Sequence, residues 1–234
     1  TLRCQMNNNL RTKAIVLRRV NYGEADRILT VLTPNNGIIS VMARGARREK
    51  SRLAGGIELF SICVLNLVKG LRNHGDIWTL TGSRVEQNFY SIIDDFARME
   101  FGYDAIKFVT KASSNIEESD YFDLLAGVFR SLSDAKIPLK VTEAWFYLNL
   151  AKIGGTELNI RTDKNGMKLL EDACYDWDAQ DQTFAFANSG KYDANRIKVL
   201  RILVSSSPVL VAKIADINKY IDDCLLVAKS VSKI

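Results

Sequence analysis

The hydrophobic pattern changes its period once along the chain, from strand-like to helical. Up to about residue 85, short apolar segments rich in β-branched residues alternate with turn signals, which indicates β-strands. Pro34-Asn35-Asn36-Gly37 is the strongest turn signal, because Asn36 and Gly37 accept a positive φ, and it predicts a hairpin of the second and third strands. The predicted strands are Thr12–Val20, Arg27–Thr33, Ile38–Arg44, Ile57–Lys69 and Asp76–Val85.

The second part of the pattern predicts helices. From Glu86 onward apolar residues recur every three or four positions. Pro138 suits the first turn of a helix that Gly154-Gly155 ends, and a short hairpin is predicted at Tyr175–Trp177 and Thr183–Ala187. The remaining predicted helices lie in residues 89–109, 119–135, 194–203 and 208–231.

Five short strands with one long connection after the third are typical of a small closed β-barrel. The fold class expected from the pattern is therefore α+β, with a five-stranded barrel followed by a mainly α-helical domain. We expect the first domain to span residues 1–85 and the second residues 86–234.

Composition excludes several classes of protein. Of 234 residues, 47% are hydrophobic and 25% are charged, which are values of an ordinary globular chain. No apolar run approaches the roughly 18–20 residues that a membrane-spanning helix needs, so we expect no membrane span. Residues 1–11 have no apolar signal-peptide segment, which favours a cytoplasmic location. The chain starts with Thr1, and Met6 is an alternative native start.

Charge is divided unevenly between the two parts. Residues 1–72 contain 13 basic and 4 acidic side chains, a net of +9, whereas residues 73–234 contain 19 basic and 23 acidic, a net of −4. Ten of the 13 cations are arginines, which suit bidentate phosphate contacts. The asymmetry favours a polyanion as partner of the first part, and a solvated basic surface without a partner is the alternative.

Signals for catalysis or metal binding are weak. The four cysteines contain no C-x-x-C pair, and the single histidine, His74, has no neighbouring ligand pair. No glycine-rich phosphate loop and no nucleophile elbow occurs. Adjacent acids such as Asp94-Asp95 point about 100° apart on a helix and chelate poorly. The sequence therefore predicts no enzyme, no cofactor and no metal site.

The strongest functional signal is the basic segment of residues 44–52, which holds five cations in nine residues. We expect it to neutralise phosphates together with nearby strand arginines, although Arg27 has an alternative role as an ion-pair partner of Glu24 and Asp26. Tyr22, Phe60 and Trp78 are candidate base-stacking residues, with burial in the core as the alternative for each. The predicted nucleic-acid-binding residues are Arg18, Arg19, Arg27, Arg44, Arg47, Arg48, Lys50, Arg52, Lys69 and Arg72.

Four ordered motifs carry a family resemblance. They are Lys13-Ala-Ile-Val-Leu-Arg-Arg19, Asn21-Tyr-Gly-Glu-Ala-Asp-Arg27, Gly37-Ile-Ile-Ser-Val-Met-Ala-Arg-Gly-Ala-Arg-Arg48 and Ser51-Arg-Leu-Ala-Gly55. Over these roughly 45 residues the chain resembles the RecO family of DNA repair proteins.

The resemblance implies an N-terminal OB-type barrel, a helical C-terminal domain and a mediator that is not an enzyme. It implies binding of single- and double-stranded DNA, annealing of complementary strands and a nucleoid-associated location. A RecR partner, single-strand-binding protein and, indirectly, the recombinase are the implied protein partners. The helical domain would receive the tail of single-strand-binding protein, and the candidate cations for that contact are Lys191, Arg196, Lys198 and Arg201.

The sequence departs from the family at one place. Many members have a four-cysteine zinc ribbon in the C-terminal half, whereas here Cys174 is the only cysteine of residues 156–190. We therefore expect a zinc-free remnant of the ribbon, held together by Trp177, Phe184 and Phe186.

Two other functions remain open. The chain could be a protein-interaction adaptor of the repair machinery whose DNA contact is incidental. It could also be a metal-dependent nuclease built on paired acids, although such pairs are poor chelates.

Overall fold

The structure is a computed structural model that describes residues 9–69, 77–113 and 120–232. Its contacts divide the chain into two compact units, Thr1–Phe129 and Arg130–Ile234. The first unit contains the barrel and helix α1 (Phe96–Ala112), and the division falls within α2 (Asp120–Leu132). The boundary expected at residue 85 stays a prediction.

The first unit is built on a closed five-stranded barrel, which confirms the predicted fold class. The strand order around the barrel is β1-β2-β3-β5-β4, and every pairing is antiparallel except that of β3 with β5. This is an OB-type arrangement. The strands are β1 (Asn9–Tyr22), β2 (Asp26–Thr33), β3 (Gly37–Ala43), β4 (Ser61–Lys69) and β5 (Ile77–Asn88).

Strand β1 is long because it pairs with two neighbouring strands. Its first half, from Asn9 to Ile15, pairs with β4, and its second half, from Ile15 to Tyr22, pairs with β2. A register shift between Val16 and Arg18 lies where the strand passes from one neighbour to the other. The two halves of β1 therefore belong to two different flanks of the barrel.

The barrel interior is filled by apolar residues that alternate along the strands. Val16, Leu29, Val31, Val41 and Leu65 have no exposed surface. The predicted hairpin of β2 and β3 is confirmed, with Thr33 paired to Gly37, and Gly37 takes a positive φ of 55°. The period-2 pattern thus set which residues enter the core.

Two predicted element boundaries were wrong in the first unit. The fourth strand begins at Ser61 and not at Ile57, because a 3₁₀ turn and Phe60, with φ 52°, interrupt the extended backbone. The helical part begins later than Glu86, because β5 continues to Asn88 and a 3₁₀ turn follows. Helix α1 starts only after Asp95, whose side chain accepts a hydrogen bond from the backbone N–H of Arg98 at 3.1 Å.

The second unit packs helices around one apolar core. Helix α3 (Leu139–Ile153) lies against α6 (Ile217–Ser232) and α4 (Ala194–Ser205). The last helix is not continuous as predicted: α5 (Pro208–Val211) is separated from α6, and Asp216, with φ 57°, lies in the break. Helix α3 begins directly after Pro138 and ends at Gly154, as the pattern predicted.

The predicted hairpin is confirmed as β6 (Tyr175–Asp178) and β7 (Thr183–Phe186). Trp177 and Phe184 pack with their ring centroids 4.9 Å apart, and Phe184 also contacts Tyr192. Phe186 was expected in this cluster but is 60% exposed and packs edge-on against Tyr175, whereas the buried Tyr192 contacts Phe184. Trp177 also donates a 2.8 Å hydrogen bond to the Ser230 hydroxyl of α6, which ties the hairpin to the helices.

The residues of this region do not suit a zinc ion. Cys174 stands alone, and within the described residues no group of three or more His, Cys, Asp or Glu side chains converges as a metal site would require.

Among the helices that the structure describes, none is long and apolar enough to cross a membrane.

Candidate nucleic-acid interface

The basic segment of residues 44–52 is held to the barrel by backbone hydrogen bonds. The N–H of Gly45 donates to the Asp26 carboxylate at 2.7 Å, and the N–H of Arg47 donates to the Ala25 carbonyl at 2.9 Å. Ala46 is buried against the barrel core. These contacts place the start of the segment directly beside the β1–β2 loop.

The segment is a series of turns with both ends attached. The N–H of Arg48 donates to the Gly45 carbonyl, and the N–H of Ser51 donates to the Arg48 carbonyl. At its end Leu53 packs against the barrel core, and its carbonyl accepts a 3.1 Å hydrogen bond from the Ser83 hydroxyl of β5. Because the backbone is tied at both ends, the charged side chains project from a fixed base; those exposed are Arg44, Arg47, Arg48, Glu49, Lys50 and Arg52.

Gly45 allows this path, because its φ of 65° is a conformation that residues with a Cβ rarely adopt. A Cβ there would lie 3.5 Å from the Arg48 side chain, so the cost of substitution is mainly backbone strain. The guanidinium of Arg47 donates to the Gly23 carbonyl at 3.3 Å, which brings a cation over the β1–β2 loop. OB-type barrels bind oligonucleotides on the face of strands 2–3 and on this loop.

The register separates the predicted strand arginines into two groups. Arg18 pairs with Thr30, and Thr30 with Ser40, on the outer face of the barrel. Val20 and Tyr22 follow Arg18 at period 2 and lie on the same outer face, where all three are exposed. A cation, an apolar side chain and an aromatic ring therefore form one row along the outer face of β1, next to β2.

Arg19 lies on the other side of the sheet. It pairs with Leu29, which is a core residue, and it forms a 2.5 Å ion pair with Glu58 while only 26% of its side chain is exposed. Arg27 pairs with the buried Ala43 in register, and its guanidinium donates to the Asn21 side chain at 3.4 Å. The Asp26 carboxylate accepts the Gly45 N–H, so Asp26 anchors the start of the basic segment.

The three candidate stacking residues have different surroundings. Tyr22 is 55% exposed, whereas Phe60 is 2% exposed and packs edge-on against Tyr103 and Phe129. No base can stack on Phe60, and that prediction was wrong because the ring turns into the core of the first unit. Trp78 is half-buried, and the Lys69 ammonium lies 5.6 Å from the centre of its ring.

Lys69 is the last residue of β4 and is exposed, and Trp78 is the second residue of β5. Arg72, also a predicted binding residue, lies outside the described residues, as do His74 and Asp76.

The four cations expected to bind a protein tail contact different groups of the second unit. Lys191 and Arg196 both contact Asp223, at 2.6 and 2.7 Å, while Lys198 lies 3.8 Å from Glu171. Arg201 donates to the Ile160 carbonyl and lines a cavity of about 470 Å³ together with Lys152 and Arg161. Tail binding stays a prediction.

The Asp223 carboxylate is a structural anchor of the second unit. Burial raises the pKa of Asp223, but hydrogen bonds from Lys191 and Arg196 outweigh this effect and hold the pKa below its ordinary value. The hydrogen bond to Asp223 in turn raises the pKa of Arg196. The guanidinium of Arg196 also lies 5.7 Å from the centre of the Tyr220 ring.

Sequence reasoning missed the alternation of faces within β1. The residues at even positions from 18 to 22 lie on the outer face, while Arg19 points inward. Arg11 and Lys13 in the same strand, and Arg84 in β5, are exposed as well and were not among the predicted binding residues. The period-2 pattern of charges along β1 is the signal that marks them.

Comparison with known proteins gives a family match over the barrel. The family model described as Recombination protein O N terminal matches residues 6–89. DNA repair protein RecO of Acetivibrio thermocellus is 42% identical over 94 residues, which are 40% of this chain and 36% of that protein. DNA repair protein RecO of Roseiflexus sp. is 40% identical over 124 residues, which are 53% of this chain and 42% of that protein.

Other matches extend into the helical part. DNA repair protein RecO of Dehalococcoides mccartyi (strain CBDB1) is 30% identical over 165 residues, which are 70% of this chain and 63% of that protein. The matched segments thus span from about one third to less than two thirds of the length of these relatives. The N-terminal barrel, with its strand order of OB type, is therefore matched over residues 6–89 by the N-terminal domain of the RecO family.

Proposed function

We propose that this protein acts in recombinational DNA repair as a non-enzymatic mediator. It binds single- and double-stranded DNA, anneals complementary strands and helps to load the recombinase onto DNA coated by single-strand-binding protein. RecR and single-strand-binding protein are its proposed partners, and its proposed location is with the DNA in the cytoplasm. The names of its relatives support a role in DNA repair.

The observation that carries the proposal is the anchored basic segment beside the outer face of β1–β3. Five cations and one carboxylate lie in residues 44–52, on a backbone tied to Asp26, Ala25 and Ser83. The adjacent row of Arg18, Val20 and Tyr22 supplies a cation and an exposed ring on the same barrel. A basic groove combined with stacking aromatics is the arrangement that binds single strands without sequence preference.

The mechanism is electrostatic. Phosphates that meet the basic segment release their counterions, which drives binding and makes it sensitive to salt. Two strands held on one basic protein repel each other less, so complementary sequences pair faster. The protein itself makes and breaks no bond in this mechanism.

Annealing of two complementary oligonucleotides tests the proposal. We expect wild-type protein to accelerate annealing, and we expect this effect to fade as salt rises. Charge reversal of Arg44, Arg47, Arg48 and Arg52 to Glu is expected to abolish it. As a control, Lys107→Glu in α1 and Lys136→Glu in the second unit change two other exposed charges and should leave annealing intact.

The same variants distinguish the mediator from an adaptor. If the reversed protein still anneals, or if wild type does not anneal at any salt concentration, the basic segment is not the working surface and the adaptor function gains support. Cleavage of labelled DNA in the presence of Mg²⁺ would contradict the proposed absence of catalysis.

A further inference from the structure

The barrel has a second basic surface, on the flank opposite the β2–β3 hairpin in strand order. The first half of β1 pairs with β4, and β4 pairs with β5, so these three strands form a continuous outer face. None of its cations belongs to the basic segment or to the row of Arg18, Val20 and Tyr22.

The register aligns the charges of this surface. Lys13 pairs with Val64, which pairs with Arg84, so the two cations share one row on the outer face. Two residues earlier in β1, Arg11 pairs with Asn66, which pairs with Gly82, and this row lies on the same face. Arg11, Lys13, Asn66 and Arg84 are exposed. We call these two rows the β4–β5 patch.

Two details of the patch suit a chain of phosphates. Gly82 contributes no side chain to the second row, and the Asn66 amide lies over it, 3.1 Å from where a Cβ would stand. Arg11 and Arg84 are spaced by the sheet on either side of Asn66, an amide that can donate to phosphate oxygens. The only carboxylate that contacts these cations among the described residues is Glu86, 2.6 Å from the Lys13 ammonium.

Along β1 the patch is separated from the row of Arg18, Val20 and Tyr22, because Arg11 lies seven positions before Arg18, which at about 3.3 Å per residue corresponds to about 23 Å of strand. On the β5 side the patch adjoins the end of the basic segment, since Ser83, next to Arg84, donates a hydrogen bond to the Leu53 carbonyl. Because β1 passes from β4 to β2 at Ile15, its two halves present their cations on different flanks. One nucleic-acid strand on the β1–β3 face therefore leaves the β4–β5 patch free.

We infer that the β4–β5 patch is a second binding surface for a nucleic-acid backbone, so that one copy of the barrel holds two strands at once. This inference rests on the proposed function and deepens it, because annealing needs two strands on one protein. Charge complementarity favours a phosphate chain as the ligand of the patch. The exposed side chains of its two rows are cations and an amide, and neither row has an exposed aromatic ring on which a base could stack.

Capture of two strands tests the inference. One oligonucleotide is immobilised, a second and non-complementary oligonucleotide carries a fluorophore, and the protein is added at low salt. Analytical ultracentrifugation of the protein with both strands free in solution gives the number of protein copies per pair of strands. We expect wild type to retain the fluorescent strand with one protein copy for two strands.

The decisive variant is Arg11→Gln with Arg84→Gln. We expect it to bind a single strand as wild type does through the basic segment, but to retain little of the second strand. With two phosphate contacts removed, the log–log salt slope of second-strand binding should become shallower by about 1.4. Lys107→Gln with Lys136→Gln removes the same net charge elsewhere and should behave as wild type.

Glu86→Gln provides a test of opposite sign. It frees Lys13 from its carboxylate partner and should strengthen second-strand capture, whereas a patch that merely stabilises the barrel would show no gain.

The Arg11→Gln/Arg84→Gln variant needs a folding control of its own. An unchanged melting temperature shows that this variant is folded.

The outcomes separate this inference from the proposed function. If the Arg11/Arg84 variant captures the second strand as wild type does, or if two protein copies are needed to hold two strands, the inference is overturned while single-strand binding by the basic segment stands. If wild type binds no strand at all, the proposed function fails and the inference fails with it.

Discussion

The backbone N–H of Gly45 donates a 2.7 Å hydrogen bond to the carboxylate of Asp26. Asp26 lies in the motif Tyr22-Gly-Glu-Ala-Asp-Arg27, and Gly45 lies in the motif Ala43-Arg-Gly-Ala-Arg-Arg48, so this bond joins two motifs that are 19 residues apart. One motif therefore holds the other in place, and the held motif carries the cations.

Replacement of Asp26 tests this anchor. A hydrogen bond to a charged group contributes about 1.5–3 kcal/mol, so Asp26→Ala should lower the free energy of unfolding by that amount in urea titrations. Asp26→Asn keeps an acceptor oxygen and should cost less. Since Asp26→Ala removes a negative charge, electrostatics alone would strengthen DNA binding; weaker binding would show that the fixed path of the segment matters.

Binding should depend on salt in proportion to the number of basic contacts. Each phosphate contact of a single strand contributes about −0.7 to the log–log slope, and the five cations of the basic segment set a slope of about −3.5. Arg47→Gln with Arg48→Gln should reduce the slope by about 1.4, as measured by fluorescence anisotropy from about 50 to 200 mM salt. An unchanged slope would remove these two arginines from the interface.

Tyr22 and Phe60 should respond in different ways to substitution. If a base stacks on Tyr22, Tyr22→Ala should weaken single-strand binding by about 1–3 kcal/mol, and Tyr22→Phe should restore it. Phe60→Ala should instead cost about 3–5 kcal/mol of stability, because its ring is buried between Tyr103 and Phe129. Anisotropy titrations and urea unfolding of both variants separate the two roles.

The Asp223 anchor predicts a loss of stability in acid. Because its pKa is lowered in the folded protein, Asp223 contributes stability above its ordinary pKa of 3.8, and this contribution is lost as the pH falls through the folded pKa. Asp223→Asn should therefore be less stable than wild type at pH 7, and the difference should shrink below pH 4. Urea unfolding at several pH values checks this.

Asp222→Asn is the matched control for that series. Asp222 is a neighbour of Asp223 that makes an exposed ion pair with Lys140, and such pairs contribute only about 0–1 kcal/mol. A difference at pH 7 as large as that of Asp223→Asn would contradict the anchoring role.

The hairpin of β6 and β7 should be stable without a metal. The Trp177–Phe184 contact and the hydrogen bond from Trp177 to Ser230 hold it, so EDTA should leave the melting temperature unchanged. Phe184→Ala should lower the stability of the second unit by about 3–5 kcal/mol, because its ring is completely buried. A fall in melting temperature on chelation would show that a metal contributes.

The sequence by itself determined the elements and the chemistry of the first surface. The period of the apolar residues predicted five strands and the change to helices, and the Pro34–Gly37 turn predicted the β2–β3 hairpin, because both signals are local. Five cations in residues 44–52 marked the basic segment for the same reason, and the ordered motifs around Asp26 and Gly45 carry the resemblance to the RecO family.

Only the tertiary structure decided where each side chain points. Arg18 and Arg19 are neighbours in sequence, yet one is on the outer face and the other pairs with Glu58, because a shift of one position in a strand exchanges the two faces. The positive φ of Phe60 turned a candidate stacking ring into the core, and the pairing of β1 with β4 and of β4 with β5 aligned Lys13 with Arg84. Such pairings join residues up to 59 positions apart, as Asn9 and Val68 are, and no local pattern encodes them.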